Sequence, residues 1–334
     1  MPERTRIIQI GLGALGRMLT PYLIERSALE IVGAVDLDPS LIGRDLGDVA
    51  ALGRKLGVSV CSDLSEAFAG GPVHAVLLTT VSDLARARPQ IEALIAHKTN
   101  VVSSCEELSF PWQTAPEASA EIDRLARDAG VSVLGTGVNP GFLMDILPTA
   151  LTAICRDVHH ITVRRYQDAR PRRLPFQQKI GAGLTVEEFE KKKASGALRH
   201  VGLTESMHLI ASRLGWRLNR TEDTIEPIIA EREVRSDHIT VQPGQAAGVH
   251  QLGLAYVGNE EKIRLDFRAS LGEPDPQDTV IFAGVPDLRF TVPGGINGDI
   301  ATCSMLTNAI PTVIAAPPGL RTMADIPPPS WFSG

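Results

Sequence analysis

"IIQIGLGALGRML", residues 7–19, decides the fold. An apolar run with strand texture breaks at Gly11, Leu12, Gly13, Ala14, Leu15 and Gly16, and a helix-length amphipathic stretch follows. A G-x-G-x-x-G that leaves a strand and opens a helix marks a dinucleotide site: Gly11 allows the tight turn, Gly13 lets the backbone approach a pyrophosphate, and Gly16 permits close helix–sheet packing. The helix N-terminus adds free amides and a partial positive charge for the phosphates. Asp36 closes the next strand, "EIVGAVD". That is about 20 residues beyond the glycines, where a carboxylate takes the ribose hydroxyls and repels a 2′-phosphate. NAD is therefore the expected cofactor. Arg44, a little further on, keeps NADP open, and a solvated strand-end acid is the plain alternative for Asp36.

Around this motif, "RIIQI", "EIVGAVD", "VSV", "HAVLLTT", "NVVSS" and "VSVLG" read as short strands alternating with helical stretches up to about residue 134. The alternation predicts a doubly wound parallel sheet covered on both faces. Beyond residue 155 the runs lengthen and alternate, as in "HHITVRRY", "DHITVQ", "VHQLGLAYVG", "KIRLDFRA" and "DLRFTV", with helical patterns near 186–195 and 203–214. These predict a mixed, largely antiparallel sheet. The expected class is α/β: an N-terminal Rossmann domain (1–145), a second α+β domain for substrate and dimerisation (146–297), and a C-terminal helix and tail (298–334) that pack back on the first.

The 334 residues carry 33 basic and 39 acidic side chains, a net charge of -6, without long runs of one sign. Neither nucleic acid nor an anionic membrane is an expected partner. No apolar run reaches the ~18–20 residues of a membrane span, and no signal-peptide pattern opens the chain, so a cytoplasmic location is expected. Four scattered cysteines, Cys61, Cys105, Cys155 and Cys303, read as reduced thiols. No metal site is expected.

In a doubly wound sheet the ligand lies over the carboxyl ends of the strands. Thr79 and Thr80 end one strand; Ser103, Cys105, Glu106 and Glu107 follow another in "NVVSSCEELSFPW". The acid pair has two readings, catalytic carboxylates or an acidic first helical turn favoured by the dipole. Asn139, Phe142 and Met144 in "GVNPGFLMD" follow the sixth strand as candidates for the carboxamide or substrate and for an apolar wall, against a turn and ordinary core packing. Tyr166 and Thr302 are further pocket candidates. Arg164, Arg165, Arg172 and Arg173 have two readings, recognition of a substrate carboxylate or, as the expected one, a solvated basic loop; His159 and His160, on alternate faces of a strand, read as structural.

The succession "GLGALGRM", "VGAVDLDPSLIGRDLG", "NVVSSCEELSFPW", "GTGVNPGFLMD", "RRLPFQQKIGAG" and "GDIATCSMLTNAIP" resembles the dihydrodipicolinate-reductase-like dehydrogenases. Within them it is similar to the native amine dehydrogenases and 2,4-diaminopentanoate dehydrogenases. The resemblance implies NAD(P)-dependent oxidative deamination or reductive amination of a ketone or aldehyde with ammonia, and a homodimer. It also implies a catalytic glutamate in the motif matched by "SCEEL", carried here onto Glu106, with Glu107 one position away. Dihydrodipicolinate reductases resemble "HHxxK" and "SGT" in the substrate loop; "RRYQDARPRRLPFQQKIGAG" has neither, so that substrate is not expected. Sugar dehydrogenases of similar architecture resemble "EKP" where this chain has "EEL". A carboxylate in place of a lysine suits a cationic iminium rather than a developing alkoxide. A 2,4-diaminopentanoate dehydrogenase and a non-catalytic NAD(H)-binding sensor are the alternatives.

Overall fold

The computed structural model describes residues 4–196, 198 and 201–333. The chain forms two compact units, Met1–Phe142 with Gly298–Gly334, and Leu143–Asn297.

The first unit runs β1 (Thr5–Ile10), α1 (Ala14–Ile24), β2 (Leu29–Val35), α2 (Leu46–Val49), β3 (Val60–Cys61), α3 (Leu64–Phe68), β4 (Ala75–Leu78), α4 (Leu84–Ala96), β5 (Asn100–Ser103), α5 (Pro116–Ala129) and β6 (Ser132–Gly135). The second contains α6 (Ile146–Leu151), β7 (Asp157–Asp168), α7 (Leu174–Lys179), α8 (Val186–Ala194), α9 (Leu203–Leu214), β8 (Arg220–Ile229), β9 (Val234–Arg235), β10 (Thr240–Val241), β11 (Ala246–Val257), β12 (Glu260–Ser270), β13 (Gln277–Val285) and β14 (Leu288–Pro293). The first is then completed by α10 (Gly298–Ala315) and β15 (Gly319–Arg321).

In the first unit seven parallel strands lie in the order β15-β6-β5-β4-β1-β2-β3. Every residue of β4 and β6 is buried, which requires cover on both faces and explains the unbroken apolar runs. The direction of winding switches beside β1, between β4 and β2, so the glycine turn stands at the point where such sheets take ligands. The three residues of β15 lie in a Pro-rich segment too short for a periodic signal; Leu320 N–H donates to Asp123 (2.9 Å) and Gly319 N–H to Val131 (2.9 Å) to hold it beside β6.

The second unit is a six-stranded sheet ordered β14-β13-β7-β12-β11-β8, parallel only between β7 and β12. Ile161 and Val163 of β7, with Leu265 and Phe267 of β12, share one core with Met207 and Ile210 of α9. Thr162, Arg164 and Tyr166 alternate with them and form a half-exposed polar face with Arg264, Asp266 and Arg268. The polar strand "RTEDTIEPII" (β8) occupies a sheet edge, where solvated side chains mask the alternation. "DHITVQ", expected as a strand of this sheet, yields only Thr240–Val241, paired with β9 in a separate ribbon. Pro243 and Gly244 (φ 85°) end it.

Among the described residues no helix is long and apolar enough to cross a membrane, and no group of three or more His, Cys, Asp or Glu side chains forms a metal cluster. The four cysteines are free thiols.

Candidate active site

The three glycines are held for three different reasons. Gly11 has φ 87°, and a Cβ there would lie 2.7 Å from the Thr79 carbonyl oxygen; a Cβ on Gly16 would lie 1.9 Å from the Gly11 oxygen. Turn, helix and neighbouring strand thus meet backbone to backbone. The Thr79 hydroxyl donates to the Gly11 oxygen (2.8 Å), and the buried Gln9 amide donates to the Gly16 oxygen. Gly13 is different: its φ is an ordinary -66°, and a Cβ would meet no protein atom within 4 Å. Among the described residues nothing requires glycine there, and the open space at the N-terminus of α1 fits a pyrophosphate. Asp36, half-buried at the end of β2, accepts from Leu12 N–H (2.5 Å) and from Asp38 N–H (2.8 Å), so its carboxylate is fixed beside the turn. Arg17, which the sequence reading passed over, donates through Nε to the Leu12 oxygen (2.7 Å). Arg44 is exposed. The residues present fit a dinucleotide.

The acid pair lies in an isolated 3₁₀ turn, Glu106–Leu108, and not in the first turn of an α-helix. The turn is wedged into the sheet: Cys105 N–H donates to the Ser103 hydroxyl (3.1 Å), Thr136 N–H to the Ser103 oxygen (2.9 Å), and a Cβ on Gly135 would lie 2.6 Å from the Leu108 carbonyl carbon. Glu107 has a structural task. Its Oε2 accepts from Leu84 N–H (2.9 Å), the first amide of α4, while Asp83 takes Arg86 N–H (2.8 Å). The helix that benefits is therefore α4, reached through space. With three residues per turn, Glu106 points roughly 120° away from Glu107; it is half-buried.

Several predicted side chains bond inward. The Ser103 hydroxyl donates to the Leu78 oxygen (3.2 Å). The Cys105 thiol, 1% exposed, donates to the Ser82 oxygen (3.2 Å), and burial pushes its pKa up to about 12. Thr80 is exposed, and its hydroxyl donates to Gln90 (2.9 Å). Asn139 is buried in the loop after β6, where Val138 N–H donates to the Thr302 hydroxyl of α10 (3.4 Å). The carboxyl ends of β1, β4, β5 and β6 thus gather the glycine turn, Thr79–Thr80, the acid turn and the 136–141 loop along one edge. The Thr136 hydroxyl, not anticipated from sequence, is buried there without a hydrogen-bond partner among the described residues.

Of the remaining candidates, Phe142 is half-buried, and Met144 is fully buried in the core of the second unit. Tyr166 lies on the polar sheet face; its hydroxyl donates to Asp266 (2.7 Å), and burial together with that carboxylate pushes its pKa up to about 12. His160 pairs with Glu261 (3.0 Å). The basic stretch corrects the sequence reading: Arg165 and Arg172 are only 2% and 7% exposed and do not form a solvated loop. Arg165 shares the core face of β7 with Ile161 and Val163, as period-2 alternation dictates.

A switch-point glycine turn with its fixed carboxylate, in a chain with a second mixed-sheet unit, defines a nicotinamide-dependent dehydrogenase of the Rossmann type. Residues 142–334 match the family model described as 2,4-diaminopentanoate dehydrogenase C-terminal domain. The chain is 36% identical to the 2,4-diaminopentanoate dehydrogenase of Acetoanaerobium sticklandii, over 99% of this chain and 96% of that protein. It belongs to the 2,4-diaminopentanoate dehydrogenase family. An amine dehydrogenase of Streptomyces virginiae is 22% identical over 95% of this chain and 94% of its own. The structure of an amine dehydrogenase from Mycobacterium smegmatis superposes with a TM-score of 0.88 at 25% identity, covering 99% of this chain and 98% of that one. The chain is accordingly an oxidoreductase acting on CH–NH2 donors.

Gly13→Ala should fold normally and lose at least about tenfold in dinucleotide affinity, since only the ligand competes for that space, whereas Gly16→Ala should lower stability by about 1–3 kcal/mol or more through overpacking. Melting curves and NADH titration check this; unchanged NADH binding by a folded Gly13→Ala protein would contradict it.

Proposed function

We propose that the chain is an NAD-dependent amine dehydrogenase that interconverts a small amine with its ketone or aldehyde and ammonia, with Glu106 as the catalytic acid–base. The observation that carries the assignment is the division of labour in the 3₁₀ turn: the Glu107 carboxylate is committed to the Leu84 amide of α4, and Glu106 points elsewhere. A bound nicotinamide supplies hydride transfer. The rest falls to the chain. Forming an iminium requires ammonium to be deprotonated and the resulting ammonia held against the carbonyl, and then the carbinolamine hydroxyl to be protonated so that it leaves as water; one carboxylate serves both proton transfers and then faces a cation. An anion in that place would oppose alkoxide formation, so the same residue disfavours simple carbonyl reduction.

NAD is favoured over NADP because the Leu12 and Asp38 amides hold Asp36 in place, preventing it from swinging away from a 2′-phosphate. A homodimer in the cytoplasm completes the reading. Its support is the half-exposed sheet face, where Arg164, Arg264 and Arg268 stand among Glu261 and Asp266; a surface carrying both signs suits a two-fold, self-complementary contact. Free thiols are what a reducing compartment maintains.

Two measurements test this reading. Glu106→Gln should lower amine oxidation by about 10²–10⁴-fold, the usual worth of general acid–base catalysis, with NADH affinity little changed. Glu107→Gln can still accept from Leu84 N–H and should lose only a helix-dipole contribution of about 0.3–1 kcal/mol in stability. Equal, modest losses in both variants would remove Glu106 from the chemistry. Parallel fluorescence titrations should show tighter NADH than NADPH binding, and an Asp36→Ser variant should narrow the gap. NADPH binding as tightly to the wild type would refute the role of Asp36.

A further inference from the structure

Arg17 stands one helical turn beyond Gly13, on the face of α1 that the missing Gly13 side chain leaves open. Helical side chains lean toward the N-terminus, and this one reaches back until its Nε donates to the Leu12 oxygen (2.7 Å). The Leu12 N–H is meanwhile taken by Asp36. One residue of the glycine turn therefore anchors both the carboxylate expected at the ribose and a guanidinium beside it. The guanidinium flanks the open space without filling it, because no Arg17 side-chain atom comes within 4 Å of the Cβ position at Gly13.

A guanidinium has five N–H donors in a rigid fork. Beyond the Nε bond, that of Arg17 makes no hydrogen bond or ion pair among the described residues. Its own helix explains this. Arg88, Arg124 and Arg127 each meet a Glu or Asp three or four positions away on α4 or α5, whereas "ALGRMLTPYLI" of α1 contains no acidic residue. Asp38 is near enough to feel the charge: hydrogen bonding to Ser40 holds its pKa below the usual carboxylate range, and Arg17 adds to that through space without forming an ion pair. Nη1 and Nη2 are thus left for a ligand. Two parallel N–H groups beside the N-terminus of a helix match an oxyanion, phosphate above all.

We infer that Arg17 is a phosphate clamp of the dinucleotide site: with Nε fixed on the turn, its two terminal nitrogens hold the pyrophosphate against the N-terminus of α1. The inference rests on the dinucleotide reading of the glycine turn and is independent of Glu106 and of the substrate. It adds a full positive charge to the partial charge and amides that the glycine motif supplies by itself. Because the Nε bond already orders the side chain, less rotamer freedom remains to be lost when the phosphate arrives.

Arg17→Met removes the fork from an exposed position, so its melting curve should stay close to that of the wild type; Arg17→Lys keeps a charge without the fork. Loss of charge-assisted hydrogen bonds should weaken NADH binding by about tenfold or more in Arg17→Met, and by less in Arg17→Lys. Competition against NADH fluorescence separates the phosphate from the shape of the turn: ADP should lose as much affinity as NADH, and adenosine, which has no phosphate, almost none. Raising the ionic strength should weaken NADH binding to the wild type more than to Arg17→Met. Unchanged NADH binding by the folded Met variant, or an equal loss for adenosine, overturns the clamp. NADPH distinguishes the two phosphates of such a cofactor: parallel losses for NADH and NADPH support the pyrophosphate, and a loss confined to NADPH overturns that placement. If the wild type binds neither NADH nor ADP, the dinucleotide reading itself fails, and the clamp with it.

Discussion

The first unit depends on the close approach of three backbone segments, at Gly11, Gly16 and Thr79. The Gly11 oxygen lies where a Cβ on Gly16 would have to be, and the Thr79 oxygen where one on Gly11 would be. With no side chains between them, β1 turns directly into α1 beside β4. That closeness leaves Leu12 N–H within reach of Asp36 and Gly13 on the open side. The glycine turn and the end of β4 are set by these two contacts. Interiors packed at crystal-like density do not absorb an added methyl group there.

The acid turn shows how two identical neighbours acquire different work. A 3₁₀ turn separates their directions, and the amide end of α4 claims one of them. The helix-start role expected of an acidic pair is real, but it is discharged by Glu107 toward a helix earlier in the chain. The proposed acid–base role is assigned to Glu106, on the carboxyl edge of the sheet. The preference of a carboxylate for a cationic electrophile then connects fold to reaction class.

Much of this was legible in the sequence because it is periodic or local. The glycine spacing, the Asp36 strand end and the apolar runs of β1, β4 and β5 are all signals of a few consecutive residues. What stayed hidden depends on contacts across long separations. Leu84 and Glu107 share a hydrogen bond over 23 positions, and Arg165 and Asp278 an ion pair over 113. Arg165 is instructive: neighbouring charges in "RRYQDARPRR" outweighed its place in the alternation with Ile161 and Val163, which carried the right answer. The polar edge strand β8 and the three-residue β15 were silent for simpler reasons, solvent on one and brevity in the other.

The central claim is that the site is built for a cationic electrophile. It is tested most directly by following NADH oxidation with a small aliphatic ketone, with and without ammonium at fixed pH and ionic strength, and identifying the product. The account predicts turnover only with ammonium, giving the amine. NADH oxidation at the same rate without ammonium, giving the alcohol, would contradict it.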